Sequence, residues 1–355
     1  MRLKRSLPIF LAVVLVAAAL TLVVQLRKQA PPEPARLLPA ADAFFYTNLR
    51  WVRTLNATNQ LPPVHREPEY DRFIQETGFQ FERDLDEAAF AVHYPKSWRQ
   101  GGTGGNAPEP RFSEVFVGKF HGERLRSYLK KNASSVDDYN GTDIYNIPIE
   151  NRTVRVAILS VDSVAVSNLE DPLVIRGIVD RAHKLGSPFA GPAFLRQYYR
   201  EVPITSLTWL IARIEPTASP AVFGNLSLLF QRSASVVVSA RYDLRAVKLK
   251  AEAFTGSNDD AQSVTSKVET FLNLFRASEN SVAVPGPDPD VKAFFDSLTV
   301  STQGNRAIVN ASVPPGFLKK VLAGSEAEIG PTAGTPPSGP AGRPVVSVQF
   351  ARTSN

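Results

Sequence analysis

Residues 235–254 read SVVVSARYDLRAVKLKAEAF, two strand-like runs folded about Asp243-Leu244-Arg245. In the second run Val247, Leu249, Ala251 and Ala253 alternate with Lys248, Lys250 and Glu252. That period of two marks a strand with one face toward water, the habit of an antiparallel sheet. A parallel partner would need a crossover of a dozen or more residues, and three residues leave only a hairpin. The same style runs through the chain, and hairpins outnumber strand–helix–strand crossovers. The fold class expected is therefore α+β, mainly antiparallel sheets with packed helices.

Working outward from this hairpin, Ser206–Ile214 reads as a strand and Ala221–Gln231 as a helix. Ser257–Ala277 carries Val264, Val268, Phe271, Leu272 and Phe275 along one helical stripe. Its Asp259 and Asp260 suit the positive end of a helix dipole and Arg276 the negative end. A short helix at Asp290–Asp296, a hairpin over Leu298–Val313 about Gln303-Gly304-Asn305, and a helix at Pro315–Leu322 follow. Toward the N-terminus, Glu87–Tyr94 and Ser113–Phe120 read as strands around the glycine-rich loop Gln100–Pro110. His121–Lys131 reads as a surface helix, and Asn140-Gly141 as a tight turn before the strand Asp143–Ile149. Val154–Asn168 folds into two strands at Asp162-Ser163, and Asp171-Pro172 caps a further helix. Residues 44–185 and 206–323 repeat one order of elements, which suggests two duplicated halves, 41–190 and 191–323.

The ends have a different character. Ser6–Leu26, SLPIFLAVVLVAAALTLVVQL, is 21 residues without a formal charge, long enough as a helix to cross a bilayer of about 30 Å. Arg2, Lys4 and Arg5 in the five-residue tail before it place that end in the cytoplasm. A cleaved signal peptide is the competing reading, but its apolar region is shorter and a small-x-small site follows it. Residues 27–40, RKQAPPEPARLLPA, read as a proline-rich spacer. In 323–344 ten of 22 residues are Gly or Pro, so 324–344 reads as a flexible segment. Residues 345–355 then form a returning strand and tail.

The chain has 355 residues, 43% hydrophobic and 21% charged, enough to build a core. Its net charge of +6 invites a nucleic-acid reading until the charges are placed. Residues 1–36 hold six bases and one acid. Removing these from 40 bases and 34 acids leaves 34 and 33. The basicity follows membrane topology and speaks against a nucleic-acid partner. With no cysteine, disulfides, thiolate metal sites and thiol catalysis are excluded, as is lipoprotein acylation.

The stretch Leu37-Leu-Pro-Ala-Ala-Asp-Ala-Phe-Phe-Tyr46 resembles uncharacterised bacterial envelope proteins, a domain of unknown function. So does Phe295-Asp-Ser-Leu-Thr-Val-Ser-Thr-Gln-Gly-Asn305 with Ala311-Ser-Val-Pro314. The resemblance implies one N-terminal hydrophobic segment and an extracytoplasmic α+β region. It brings no catalytic motif.

The residues themselves hold little recognisable chemistry. His65, Glu67, Glu69 and Asp71 alternate as metal ligands might in an extended chain, but Glu69 and Asp71 also suit a helix start. His93 falls in a strand, His121 opens a helix and His183 closes one. Asp138–Asp143 around Gly141 imitates a calcium loop, yet Val136 and Ile147 stand where carboxylates are required. The glycines at 101–105 lack the Lys-Ser/Thr of a phosphate loop. No Gly-x-Ser-x-Gly elbow or His-Glu-x-x-His pair occurs. Asp84, Asp86 and Glu87 read as a solvated acidic turn. Phe44-Phe45-Tyr46, Tyr198-Tyr199 and Phe294-Phe295 read as core, with an apolar groove as the alternative.

No catalytic, cofactor-binding or metal residue is therefore assigned, and no cofactor is expected. The function expected is a non-catalytic binding or assembly protein of the bacterial envelope. Residues 6–26 would hold it in the inner membrane, with the main domain periplasmic or extracellular. Its partners would be the bilayer and an envelope protein. The alternatives are a periplasmic carrier of lipid or another apolar ligand, and an envelope hydrolase.

Overall fold

The computed structural model describes residues 30–56, 68–95, 110–150, 152–183, 191–216, 228–243, 246–281 and 289–317. α1 (Glu33–Leu37) leads into β1 (Ala43–Asn48), then α2 (Leu49–Asn56), α3 (Pro68–Thr77) and α4 (Phe81–Asp84). β2 (Leu85–His93) and β3 (Arg111–Gly118) precede α5 (Gly122–Asn132). Next come β4 (Ser135–Tyr139), β5 (Thr142–Ile149), β6 (Arg152–Ile158) and β7 (Ser163–Ser167), closed by α6 (Leu173–His183) and α7 (Ala193–Tyr199). β8 (Ser206–Ile214), β9 (Ala234–Asp243) and β10 (Ala246–Phe254) lead to α8 (Asn258–Ser281) and α9 (Pro289–Ser297). The final pair is β11 (Thr299–Gln303) and β12 (Arg306–Val313).

These strands form one 12-stranded sheet in the order β11-β12-β10-β9-β8-β1-β2-β3-β7-β6-β5-β4. Every neighbouring pair is antiparallel. The α+β class with a large antiparallel sheet is thus the observed architecture. The two expected halves are not separate bodies. β1 pairs with β8, placing Phe44 opposite Ile211 and Tyr46 opposite Trp209. The largest apolar cluster draws Ile175, Ile178 and Val179 from one half and Trp209, Ile211 and Val237 from the other.

Local chemistry explains most elements. At the β4–β5 turn Asn140 (φ 52°) and Gly141 (φ 75°) take the left-handed backbone that a two-residue hairpin needs. Glu69 and Asp71 occupy the first turn of α3, as a helix dipole favours. Asp171 accepts a hydrogen bond from the Leu173 amide at 2.9 Å, capping α6. At the start of α8, Ser257 accepts one from the Asp260 amide at 3.1 Å.

Several expectations need correction. Residues 33–38 of the expected spacer are core instead: α1 buries Ala35 and Leu37, and Leu38 beyond it is 1% exposed. Pro34 fits the first helical turn, where its missing N–H costs nothing. β4 was not anticipated, because Ser-Val-Asp-Asp-Tyr has no apolar alternation and pairs through β5 alone. Asp84 and Asp86 are buried rather than solvated. On β10 the polar side is not a plain water face, for Glu252 is only 3% exposed. Asp42, Asp86 and Glu252 are each buried with a cationic partner, the condition under which a carboxylate tolerates burial.

The anchor at 6–26, residues 1–5, His65, the glycines at 101–105, most of Ala221–Gln231, and 324–355 lie outside the described residues. Among the described residues no helix is long and apolar enough to cross a membrane.

Candidate functional site

The sheet has two unlike faces, and the difference starts with side-chain alternation. On one face Phe44, Tyr46, Ala89, Ala91, Val115, Ala165, Trp209, Ile211 and Val237 are all buried. Helices α1, α6 and α7 lie on them, contributing Ala35, Ile175, Ile178, Val179 and Leu195. Tyr46 stacks on Trp209 at 5.5 Å, and Tyr199 meets the same indole edge-on at 5.4 Å. This is the closed face.

Among the described residues, the opposite face is covered toward its two ends and, over β2 and β3, by Leu49 of α2, Phe73 of α3 and Phe79, which pack with Ala88 against Phe90 and Phe116. At one end α5 sets Leu125 and Leu129 on Tyr145, Val156 and Val164. At the other α8 sets Val264 on Ala253 and Ala307. Between them Phe45, Phe90, Phe112, Phe116, Val92, Val166, Leu210 and Val238 are half-buried. Phe45 lies 5.8 Å from Phe90, and Phe90 meets Phe116 edge-on at 5.7 Å. The centre of the sheet thus presents an apolar floor six strands wide, or about 24 Å across, with its aromatic rings on β1, β2 and β3.

Glu114 stands in this floor, opposite Phe90 on β2 and Val166 on β7. Burial among these apolar side chains pushes its carboxyl up to about 7. It is the residue that sequence reasoning missed. The signal was Phe112-Ser-Glu114-Val-Phe116, where an acid takes the place of an apolar residue in the alternation.

The residues singled out from sequence do not converge. Phe44 and Tyr46 enter the closed core, whereas Phe45 joins the half-open floor. Tyr198 and Tyr199 pack on the core. Phe294 stacks on Phe317 at 4.5 Å, far along the chain from the floor. His183 meets the Thr142 hydroxyl at 3.2 Å, and His121 stands at the N-cap position of α5 without a side-chain capping hydrogen bond. His93 meets Ser113 at 3.3 Å, and Ser113 meets Ser167 at 3.1 Å. This pairing is no nucleophile site: Ser113 is fully buried, and burial lowers the His93 pKa. Asp42, which would have to orient the imidazole, instead accepts from the Tyr94 amide at 3.0 Å and approaches Arg213 at 3.4 Å.

The three acids of the expected turn are likewise committed apart from one another. Asp84 binds Arg83 at 2.7 Å, which holds its carboxyl below the usual carboxylate range. Asp86 pairs with Arg53 and, at 3.1 Å, with Arg50. Glu87 accepts a hydrogen bond from Tyr46 at 3.0 Å. Among the described residues no group of three or more His, Asp or Glu gathers to hold a metal ion.

Among the described residues, two open hollows of several hundred Å³ flank the sheet. One, about 420 Å³, lies on α3 and α5 among Glu76, Glu123, Arg124, Ser127, Tyr128 and Lys131. Its charges are mixed, and Lys131 already pairs with Glu76 at 3.1 Å. The other, about 360 Å³, lies on the closed face beyond α7 and is lined by Arg241, Lys248 and Lys250.

No protein-family model matches the chain, and no curated protein does. Among solved structures it is similar to crystal form III of TP0453, at 10% identity and a TM-score of 0.46. That match covers 83% of this chain and 99% of the other. Crystal form IV of the same protein aligns at 11% identity and a TM-score of 0.42, over 82% and 97% of the two chains. Likeness of this degree carries no functional argument.

Proposed function

We propose that the protein is a non-catalytic binding or assembly protein of the bacterial envelope. Residues 6–26 hold it in the inner membrane, with the main domain outside the cytoplasm. The observation that carries the reading is the contrast between the two sheet faces. Three helices bury the centre of the closed face, while on the other face Phe45, Phe90, Phe112 and Phe116 are half-buried, Phe90 and Phe116 partly beneath Phe73 and Phe79. A floor this broad and shallow suits another protein's packed surface, since aromatic side chains are enriched at interface centres. A carrier would instead enclose most of its apolar ligand, whereas the two hollows of several hundred Å³ among the described residues are open.

Duplication of the two halves belongs to the same reading. β1, β2 and β3 form a meander, α5 follows, and the returning β7 docks beside β3. β8, β9 and β10 form a second meander, α8 follows, and the returning β12 docks beside β10. The extra hairpin β4–β5 belongs to the first half alone.

The test is a photo-crosslinking amino acid at Phe45 or Phe112 of the full chain in its membrane. A discrete protein adduct that disappears on Phe90→Asp is the result expected. Adducts to lipid alone, identified by mass spectrometry, would favour the carrier. A periplasmic reporter fused after residue 40 that stays inactive would remove the proposed topology.

A further inference from the structure

On the closed face, β10 passes from helix cover to open solvent along alternate residues. Phe254 lies under Tyr198 at 5.1 Å, with the Arg306 guanidinium 4.7 Å above its ring. Glu252 follows, still buried, and Lys250 and Lys248 then enter the 360 Å³ hollow. Lys248 stands directly opposite Arg241 on β9 and Ser312 on β12. Lys250 stands opposite Ser239 on β9 and Asn310 on β12. The pleat places Lys248 and Lys250 on one side, about 7 Å apart, so three cations border a single hollow.

Their pairing is incomplete. Lys250 meets the Glu252 carboxylate at 2.9 Å, and Lys248 donates to the Ser312 hydroxyl at 3.0 Å. Arg241 is exposed and has no hydrogen-bond or ion-pair partner among the described residues. The lining of the hollow itself holds three cations and no carboxylate, with Glu252 beside Lys250 at one end and Asp243 beyond Arg241 on β9 at the other. Like charges directly opposite on neighbouring strands destabilise a sheet, as Arg241 and Lys248 are placed here. An anion between them would turn that repulsion into attraction. The hollow is also of the volume that small ligands occupy.

The geometry points to a phosphate-binding cleft formed by Arg241, Lys248 and Lys250. The guanidinium supplies a planar fork for two phosphate oxygens, and the ammonium groups supply compact charge beside it. Ser239 and Asn310 add neutral polar atoms at the rim. The phosphate could belong to a free phosphorylated small molecule or to a lipid headgroup. The cleft is on the opposite face from the aromatic floor, so it stands or falls independently of a partner docking there.

The test uses the full chain in nonionic detergent, followed by thermal melting on its tryptophan fluorescence. Pyrophosphate and dihexanoyl phosphatidylglycerol are the two probes, with dihexanoyl phosphatidylcholine as the zwitterionic control. A probe at a hundred times its Kd should raise the melting temperature by about 5 °C. Affinity should fall about tenfold or more in Arg241→Ala/Lys248→Ala. It should stay unchanged in Lys119→Ala/Lys130→Ala, which removes the same charge elsewhere. Should the double variant fail to fold, Arg241→Gln with its exposed side chain carries the same comparison. A response to pyrophosphate alone assigns a free phosphorylated ligand, and a response to phosphatidylglycerol assigns a headgroup. No response to either probe, or equal loss in both double variants, would overturn the cleft.

Discussion

Glu114 faces Phe90 across the β2–β3 ladder, a carboxyl directly opposite an aromatic ring on the half-open side of the sheet. A strand that puts an acid there gives up stability whenever the acid is charged. The position therefore reads as one that the fold alone would not choose.

The pH consequence has a definite sign. Burial raises the Glu114 carboxyl from 4.5 to about 7 in the folded chain. Between those values the folded state holds a proton that the unfolded state has released, so stability falls as pH rises through the window. The loss should reach about 2–3 kcal/mol by pH 8. Glu114→Gln should flatten the profile and leave the chain more stable than wild type at pH 8. Urea melts at pH 5 and pH 8 decide it, and an unchanged slope in the variant would refute it.

Trp209 is 1% exposed, and its indole N–H has no acceptor among the described residues. Trp209→Ala should cost about 3–5 kcal/mol, because a large cavity opens between Tyr46 and Tyr199. Trp209→Phe removes the orphan donor along with some volume, so its cost should be about 1–2 kcal/mol. Comparable losses in the two variants would contradict this account.

A Cβ at Gly118 would lie 2.5 Å from the Asp84 carbonyl oxygen. The neighbouring amides are tied in place: Gly118 donates to Asp162 at 2.8 Å and Lys119 to Asp84 at 2.9 Å. The clash is with backbone and cannot be relieved by a rotamer change. Gly118→Ala should cost about 1–3 kcal/mol, read as a lower denaturation midpoint with an unchanged m-value.

Leu38 separates the core reading of residues 33–38 from a spacer reading. It packs with Ala35 and Leu37 in the largest cluster. Leu38→Ala should therefore cost about 2–5 kcal/mol. A neutral result would return the segment to a spacer.

The strand alternation of 235–254, the Asn140-Gly141 turn and the helix of Ser257–Ala277 were legible because each depends on neighbours within one turn or one hairpin, although of the expected stripe Val264 and Leu272 are buried while Phe271 is exposed. Those local rules were sufficient for an antiparallel α+β class. They also found β8 at Ser206–Ile214 and β10 at Ala246–Phe254 with the observed bounds. The union of the halves was not legible, because the β1–β8 pairing joins residues more than 150 positions apart, as between Thr47 and Thr208 at 2.9 Å. Nor was burial on each face. Phe44 and Phe45 are equally apolar, yet one is sealed under helices and the other half-exposed, a difference made by where α1, α5, α6, α7 and α8 land. The same holds for charge. Lys248 and Lys250 were visible as a polar side of a strand, but their convergence with Arg241 needed the register of β9, β10 and β12. Sequence alone determined the class of element at each position through periodicity and turn chemistry. Only the tertiary structure decided which side chains water reaches, because exposure is set by contacts between segments distant in the chain.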